Sequence, residues 1–140
     1  MPERAERGAR AVPGTVLAFD FGLKRIGVAV GEPELGTAHP LPAVSGFPQI
    51  EKLVAEWRPA RLVVGLPVAE RGAHPLAKRV ERFARQLEGR YRLPVARVDE
   101  RFTSVEAESR LRGLRSKNVD SVAAQLILEQ YFGGTSDPAA

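Results

Sequence analysis

Two apolar runs near the start of the chain lie so close together that a single pairing suits them. Thr15 to Phe21 and Arg25 to Gly31 are separated only by Gly22-Leu23-Lys24. A parallel pair needs a crossover of a dozen or more residues, so this connection predicts an antiparallel hairpin closed by a glycine-containing turn. A third, weaker strand is expected from about Ala38 to Ser45, interrupted by Pro40 and Pro42. Proline cannot donate to a ladder, so those positions suit a sheet edge.

The pattern then changes to alternating helix and strand. Pro48 to Trp57 places Ile50, Leu53, Val54 and Trp57 on one helical face, and Arg61 to Leu66 is a short apolar strand. Pro75 to Gly89 repeats the helical pattern, with Leu76, Val80, Phe83, Ala84 and Leu87 inward, and Leu93 to Val98 gives another strand. Thr103 and Glu106 form a capping box that starts a helix running to about Arg112, with Gly113 as its stop. Asn118 can cap a last helix through about Phe132, whose inward face is Val122, Ala123, Leu126 and Ile127. An antiparallel start followed by crossovers predicts an α/β domain: a mixed sheet with helices on its faces.

One domain over residues 15–132 is the natural reading of 140 residues. Residues 1–14 lack periodicity and read as a disordered N-terminal tail, and residues 133–140 read as a flexible C-terminal tail. Lys plus Arg exceed Asp plus Glu by 21 to 17, a balance that suits a polyanionic partner such as nucleic acid. No segment approaches the roughly 20 apolar residues of a membrane span. Cysteine is absent, which excludes disulfides and thiolate metal sites. The opening Met1-Pro2-Glu3-Arg4-Ala5-Glu6-Arg7 has no apolar signal core, so a cytoplasmic protein with no membrane partner is expected.

Three acids stand where apolar runs end or begin. Asp20 follows Val16-Leu17-Ala18-Phe19, Glu100 follows the strand ending at Asp99, and Asp120 opens the last helix. A carboxylate taken into such surroundings is costly unless a counter-charge accompanies it. Carboxylate oxygens suit hard cations such as Mg²⁺ or Mn²⁺, and two such ions about 3.5 to 4 Å apart can activate a water and stabilise a leaving oxygen in phosphodiester hydrolysis. Each acid also has a plainer reading: Asp20 as a turn former before Gly22, Asp120 as a first-turn acid complementing the helix dipole. Asp99 rivals Glu100, because alternation sends the two to opposite faces.

Four blocks together resemble one family. Asp20-Phe21-Gly22-Leu23-Lys24-Arg25-Ile26-Gly27-Val28-Ala29, Val64-Gly65-Leu66-Pro67, Asp99-Glu100-Arg101-Phe102-Thr103-Ser104-Val105-Glu106-Ala107 and Val119-Asp120-Ser121-Val122-Ala123-Ala124 are similar to the signature blocks of the YqgF family, also called RuvX. Its members are described as Holliday junction resolvases or pre-16S rRNA nucleases. The resemblance spans about residues 15 to 132. It implies a ribonuclease H-like fold with a five-stranded mixed sheet, the first acid on the central strand, the second at the end of a neighbouring parallel strand and the third on the final helix. It also selects Glu100 over Asp99 and implies Asp20, Glu100 and Asp120 as catalytic metal ligands for Mg²⁺ or Mn²⁺; Asp20 is expected to bridge two ions, because a central strand is the most rigid mount and the adjacent Gly22 lets a substrate backbone approach. The expected activity is a metal-dependent nuclease on structured RNA, in processing of the 5′ end of pre-16S rRNA. Resolution of branched DNA is the alternative. A monomer and a homodimer both stay open.

Lys24 and Arg25 follow the first acid, Arg101 the second, and Lys117 precedes the third, so these four are expected to hold phosphates beside the acids. Thr103 has a sufficient structural task as a cap and is a further substrate contact. Arg79, Arg82, Arg85, Arg90 and Arg92 read as a solvated surface; His39 and His74 are isolated, and Trp57 and Tyr131 read as core rather than as stacking platforms. After Val64-Gly65-Leu66-Pro67 the family commonly carries an asparagine, whereas this chain has Val68-Ala69-Glu70-Arg71-Gly72, a departure that bears on substrate preference. The Asp20-Phe21-Gly22 turn also resembles the first phosphate loop of actin-like ATPases, which need a second lobe that 140 residues do not supply. A non-catalytic nucleic-acid-binding module would gain nothing from three carboxylates facing a polyanion.

Overall fold

The computed structural model describes residues 14–67, 75–100 and 121–134. The elements run β1 (Val16–Phe21), β2 (Ile26–Glu32), β3 (Thr37–Val44), α1 (Phe47–Trp57), β4 (Arg61–Leu66), α2 (Ala77–Tyr91), β5 (Val95–Asp99) and α3 (Val122–Gly134). The five strands form one sheet in the order β3-β2-β1-β4-β5. β1 pairs antiparallel with β2, and β2 with β3. β1 pairs parallel with β4, and β4 with β5. The mixed sheet and its proline-bearing edge strand therefore stand as the sequence pattern predicts. The helix expected from Thr103 to Arg112 lies outside the described residues.

Strict alternation along β1 divides the sheet's two faces. Leu17 and Phe19 join Val28, Leu62, Val64 and Val95 in one apolar cluster, which Ile50 of α1 and Val80, Phe83, Ala84 and Leu87 of α2 complete. Val16 and Ala18 point the other way, to a cluster with Ala29, Ala38 and Val63 that α3 covers through Ala124, Ile127 and Leu128. The small residues on this second face let a helix sit close to the sheet. At Gly31 an added Cβ would lie 2.9 Å from the Phe132 ring and 3.1 Å from Leu128.

Several boundaries differ from expectation for identifiable reasons. α2 passes through Gly89 and ends at Tyr91, where Arg92 takes a left-handed conformation (φ 54°) and donates its backbone N–H to the Glu88 carbonyl. A charged residue thus performs the stop that the glycine suggested. α3 includes Gly133 and Gly134. The expected α3 face also changes: Ala124 and Leu128 are fully buried and Ala123 only partly. The helix meets all five strands, so more than one stripe of it is covered.

Candidate metal and nucleic-acid site

Asp20 sits one residue from the carboxyl end of β1, the central strand. It continues the alternation of Val16 and Ala18, which places it on the α3 side of the sheet. Its register partner on β2 is Gly27. On the other flank the register Phe19 with Val64, extended one step, sets Asp20 beside Gly65. The carboxylate therefore has a glycine on each neighbouring strand, and no side chain crowds it laterally within the sheet. Burial pushes its pKa up from 3.8 to about 7, and the negative charge of Glu100 adds to the rise.

Glu100 follows β5 directly, and its backbone N–H donates to the Leu66 carbonyl at 2.9 Å. The resemblance implied a strand neighbouring that of the first acid. In the sheet β5 is instead the edge strand, separated from β1 by β4. Two strand spacings amount to about 10 Å, too far for carboxylates held flat on their own strands to act together. Gly65 on β4 resolves this. A Cβ there would lie 3.2 Å from the Glu100 Cγ and 2.3 Å from the Ile127 Cδ1, so the Glu100 side chain leans over the bare glycine backbone toward Asp20. The longer acid stands on the outer strand, where the extra methylene supplies reach.

Asp99 is exposed and pairs in register with Leu66, whose side chain packs in the cluster beneath α1 and α2. It thus lies on the opposite face from Asp20, and Glu100 alone of the two contributes to raising the Asp20 pKa. The structure brings together two of the three expected acids. Asp120 lies outside the described residues, and among the described residues no group of three metal-ligating side chains occurs. The next residue is informative: Ser121 is fully buried. Its hydroxyl accepts the Val28 N–H at 2.9 Å and donates to the Leu41 carbonyl at 2.5 Å. These backbone groups flank a shift in the β2–β3 register between Ile26 and Val28, where the ladder cannot satisfy them. Ser121 therefore anchors the start of α3 to the sheet. The donor set fits a hard divalent cation: two oxygen-bearing acids converge over a glycine, and burial together with its companion's charge disfavours the ionised form of Asp20.

Lys24 and Arg25 are exposed on the β1–β2 turn next to Asp20. Arg101, Thr103 and Lys117 lie outside the described residues, as do His74 and the stretch from Val68 to Gly72. Gly22 has a local reason to be glycine: a Cβ there would come within 2.6 Å of the Arg25 carbonyl oxygen, so its missing side chain closes the turn. Arg79, Arg82, Arg85, Arg90 and Arg92 are exposed, with the Arg90 guanidinium 4.0 Å from the Phe47 ring centre. Trp57 packs against the α1–α2 side of the core, and the Tyr131 hydroxyl accepts from Arg61 Nη1 at 2.9 Å. Arg97 forms ion pairs with Glu81 at 2.8 Å and Glu88 at 2.6 Å. This network ties α2 to β5 on the face away from Asp20. Nothing in the local sequence pattern marks Gly65, Ser121 or Arg97 for these tasks.

Known proteins resemble this chain in sequence and in fold. The profile of the RuvX family, described as Holliday junction resolvase, matches residues 14–134. The chain is 48% identical over 143 residues to a candidate pre-16S rRNA nuclease of Nitrosospira multiformis, covering 93% of this chain and 95% of that protein. It is 51% identical over 132 residues to a protein of the same description from Dechloromonas aromatica, covering 85% and 90%. Among solved structures, Thermus thermophilus RuvC in complex with a Holliday junction substrate superposes with a TM-score of 0.55 at 18% identity, over 88% of this chain and 96% of that one. That likeness establishes the ribonuclease H-like fold.

Proposed function

The chain belongs to the RuvX family and is a nuclease by that membership; we propose that it hydrolyses phosphodiester bonds of structured RNA at the carboxyl ends of β1, β4 and β5, in processing the 5′ end of pre-16S rRNA in the cytoplasm. The observation that carries the reading is the convergence of Asp20 and Glu100 over Gly65, with the Asp20 pKa raised to about 7. Two acids brought together at the carboxyl ends of parallel strands are stabilised by a cation, which offsets both the burial and the mutual repulsion. Asp20 and Glu100, with Asp120 as the third ligand, would hold Mg²⁺ or Mn²⁺. Bound there, a divalent ion supplies a water of lowered pKa and neutralises charge on the scissile phosphate.

The chain's own residues have separable roles. Asp20 gives up its proton when the site is loaded, because its neutral form is favoured only while burial and Glu100 act uncompensated. The central strand is the most rigid mount, so Asp20 would be the most firmly positioned of the residues that hold the metal. Glu100 completes the site from the edge strand. Lys24 and Arg25, exposed on the adjoining turn, hold phosphates flanking the cleaved bond and fix its register without reading bases. Relatives of about half-identical sequence bear the pre-16S rRNA description, which favours RNA. The family description as a junction resolvase keeps branched DNA as the second reading.

The deciding experiment incubates the protein with a 5′-extended pre-16S rRNA fragment and a four-way DNA junction, side by side, in Mg²⁺, Mn²⁺ and EDTA. Metal-dependent cleavage of the RNA, lost in Asp20→Asn, is the expected result. Cleavage of the junction alone would transfer the assignment to DNA, and cleavage undiminished in EDTA would remove the metal from the proposal.

A further inference from the structure

We propose that Leu23 is a substrate-contacting residue, an apolar tip on the β1–β2 turn that packs against the sugar and base of an unpaired nucleotide beside the cleaved phosphate. The inference rests on the nuclease reading above and specifies which form of nucleic acid the same site takes.

Among the described residues, Leu23 and Leu35 are the exposed large hydrophobic side chains, at 67% and 71%. A single exposed leucine needs no explanation on its own; the contrast in location does. Leu35 lies on the β2–β3 turn, at the end of the sheet remote from Asp20. Leu23 lies three residues after Asp20 and immediately before the exposed Lys24 and Arg25. It belongs to neither apolar cluster of the described residues, and turn tips ordinarily carry glycine, asparagine, aspartate or serine. The turn is also tightly closed, since the space of a Gly22 Cβ is taken by the Arg25 carbonyl 2.6 Å away. Leu23 is therefore presented from a compact turn, ready for contact without a large ordering cost.

Asp20, an apolar tip and two cations in succession along one turn match the surface of a nucleic-acid strand, where charged phosphates alternate with the largely apolar faces of sugar and base. In a duplex the base faces are stacked on one another and hidden. A leucine finds such a face only where a nucleotide is unpaired or a step is opened. The geometry therefore favours a cleaved linkage that borders single-stranded or unstacked nucleotides.

The test uses an RNA whose cleaved linkage has been mapped with the wild-type protein, prepared in two forms with the flanking nucleotides either unpaired or base-paired. Affinities are measured across several salt concentrations in the Asp20→Asn background for Leu23→Ser, Leu23→Met, Leu35→Ser and Lys24→Ala. Burial of part of a leucine predicts a loss of about fivefold to tenfold for Leu23→Ser on the unpaired form, under twofold on the paired form, and an unchanged salt slope. Leu23→Met keeps the affinity, and Leu35→Ser behaves as its parent on both RNAs. Lys24→Ala, by contrast, lowers the slope by about one. Binding by Leu23→Ser within twofold of its parent on the unpaired RNA, an equal loss on both forms, or an altered slope each overturns the inference. If wild type cleaves no RNA in Mn²⁺, the nuclease reading falls first; cleavage together with an unaffected Leu23→Ser removes this inference alone.

Discussion

Asp20→Asn should make the metal-free protein more stable, and the gain should depend on pH in a way fixed by the site. The folded carboxyl titrates at about 7 against an ordinary value of 3.8. Below about pH 4 the group is protonated in both folded and unfolded chains and contributes no difference. Between about pH 4 and 7 the unfolded chain has lost the proton and the folded one keeps it, so wild-type stability falls as pH rises. Above about pH 7 both forms are ionised and the penalty reaches a plateau. The gap of roughly three pH units corresponds to about 4 kcal/mol at 1.4 kcal/mol per unit. Asp20 keeps partial access to water, so roughly 2 kcal/mol is the expected size after solvent screening. Asparagine has nearly the same shape and no such titration. Urea unfolding in EDTA at pH 4, 5.5, 7 and 8.5 should therefore show the two proteins converging at pH 4 and the variant ahead by about 2 kcal/mol at pH 8.5. Saturating Mn²⁺ should narrow the gap, because ligand at a hundredfold excess over its dissociation constant adds about 2.7 kcal/mol to the wild type and less to the variant, whose affinity is lower. A variant less stable than wild type at pH 8.5 in EDTA, or a difference independent of pH, would refute the reasoning.

Two further variants test how the site is built. Gly65→Ala places a methyl 2.3 Å from the Ile127 Cδ1 and 3.2 Å from the Glu100 Cγ; it should cost about 1–3 kcal/mol in urea unfolding and weaken Mn²⁺ binding, whereas wild-type behaviour would mean that the space over Gly65 is not needed. Ser121→Ala leaves the Val28 N–H and the Leu41 carbonyl without their shared partner, at an expected cost of about 1–3 kcal/mol. A loss below about 0.5 kcal/mol would show that water replaces the hydroxyl.

The hairpin, the edge placement of the proline-bearing strand and the bounds of β4 were legible because local pattern determines them: alternation, turn length and the missing proline donor. Asp20 and Glu100 were legible as acids ending apolar runs. Their separation by an intervening strand was not, since strand order depends on crossovers that no local window encodes. Gly65 carries meaning only once Glu100 and Ile127 close over it. Ser121 satisfies backbone groups 93 and 80 residues away, and only a three-dimensional arrangement reveals that they are left over at a shifted register. The stop of α2 was misplaced at Gly89 because Arg92 adopts the left-handed conformation that glycine usually supplies.

The central claim is that Asp20 and Glu100 share a divalent cation, and calorimetric titration of Mn²⁺ into wild type, Asp20→Asn, Glu100→Gln and Asp99→Asn at pH 7.5 tests it most directly. The account predicts saturable binding to wild type and to Asp99→Asn, with affinity lowered at least tenfold in Asp20→Asn and Glu100→Gln. Equal binding by all four proteins, or loss in Asp99→Asn with retention in Glu100→Gln, would contradict it.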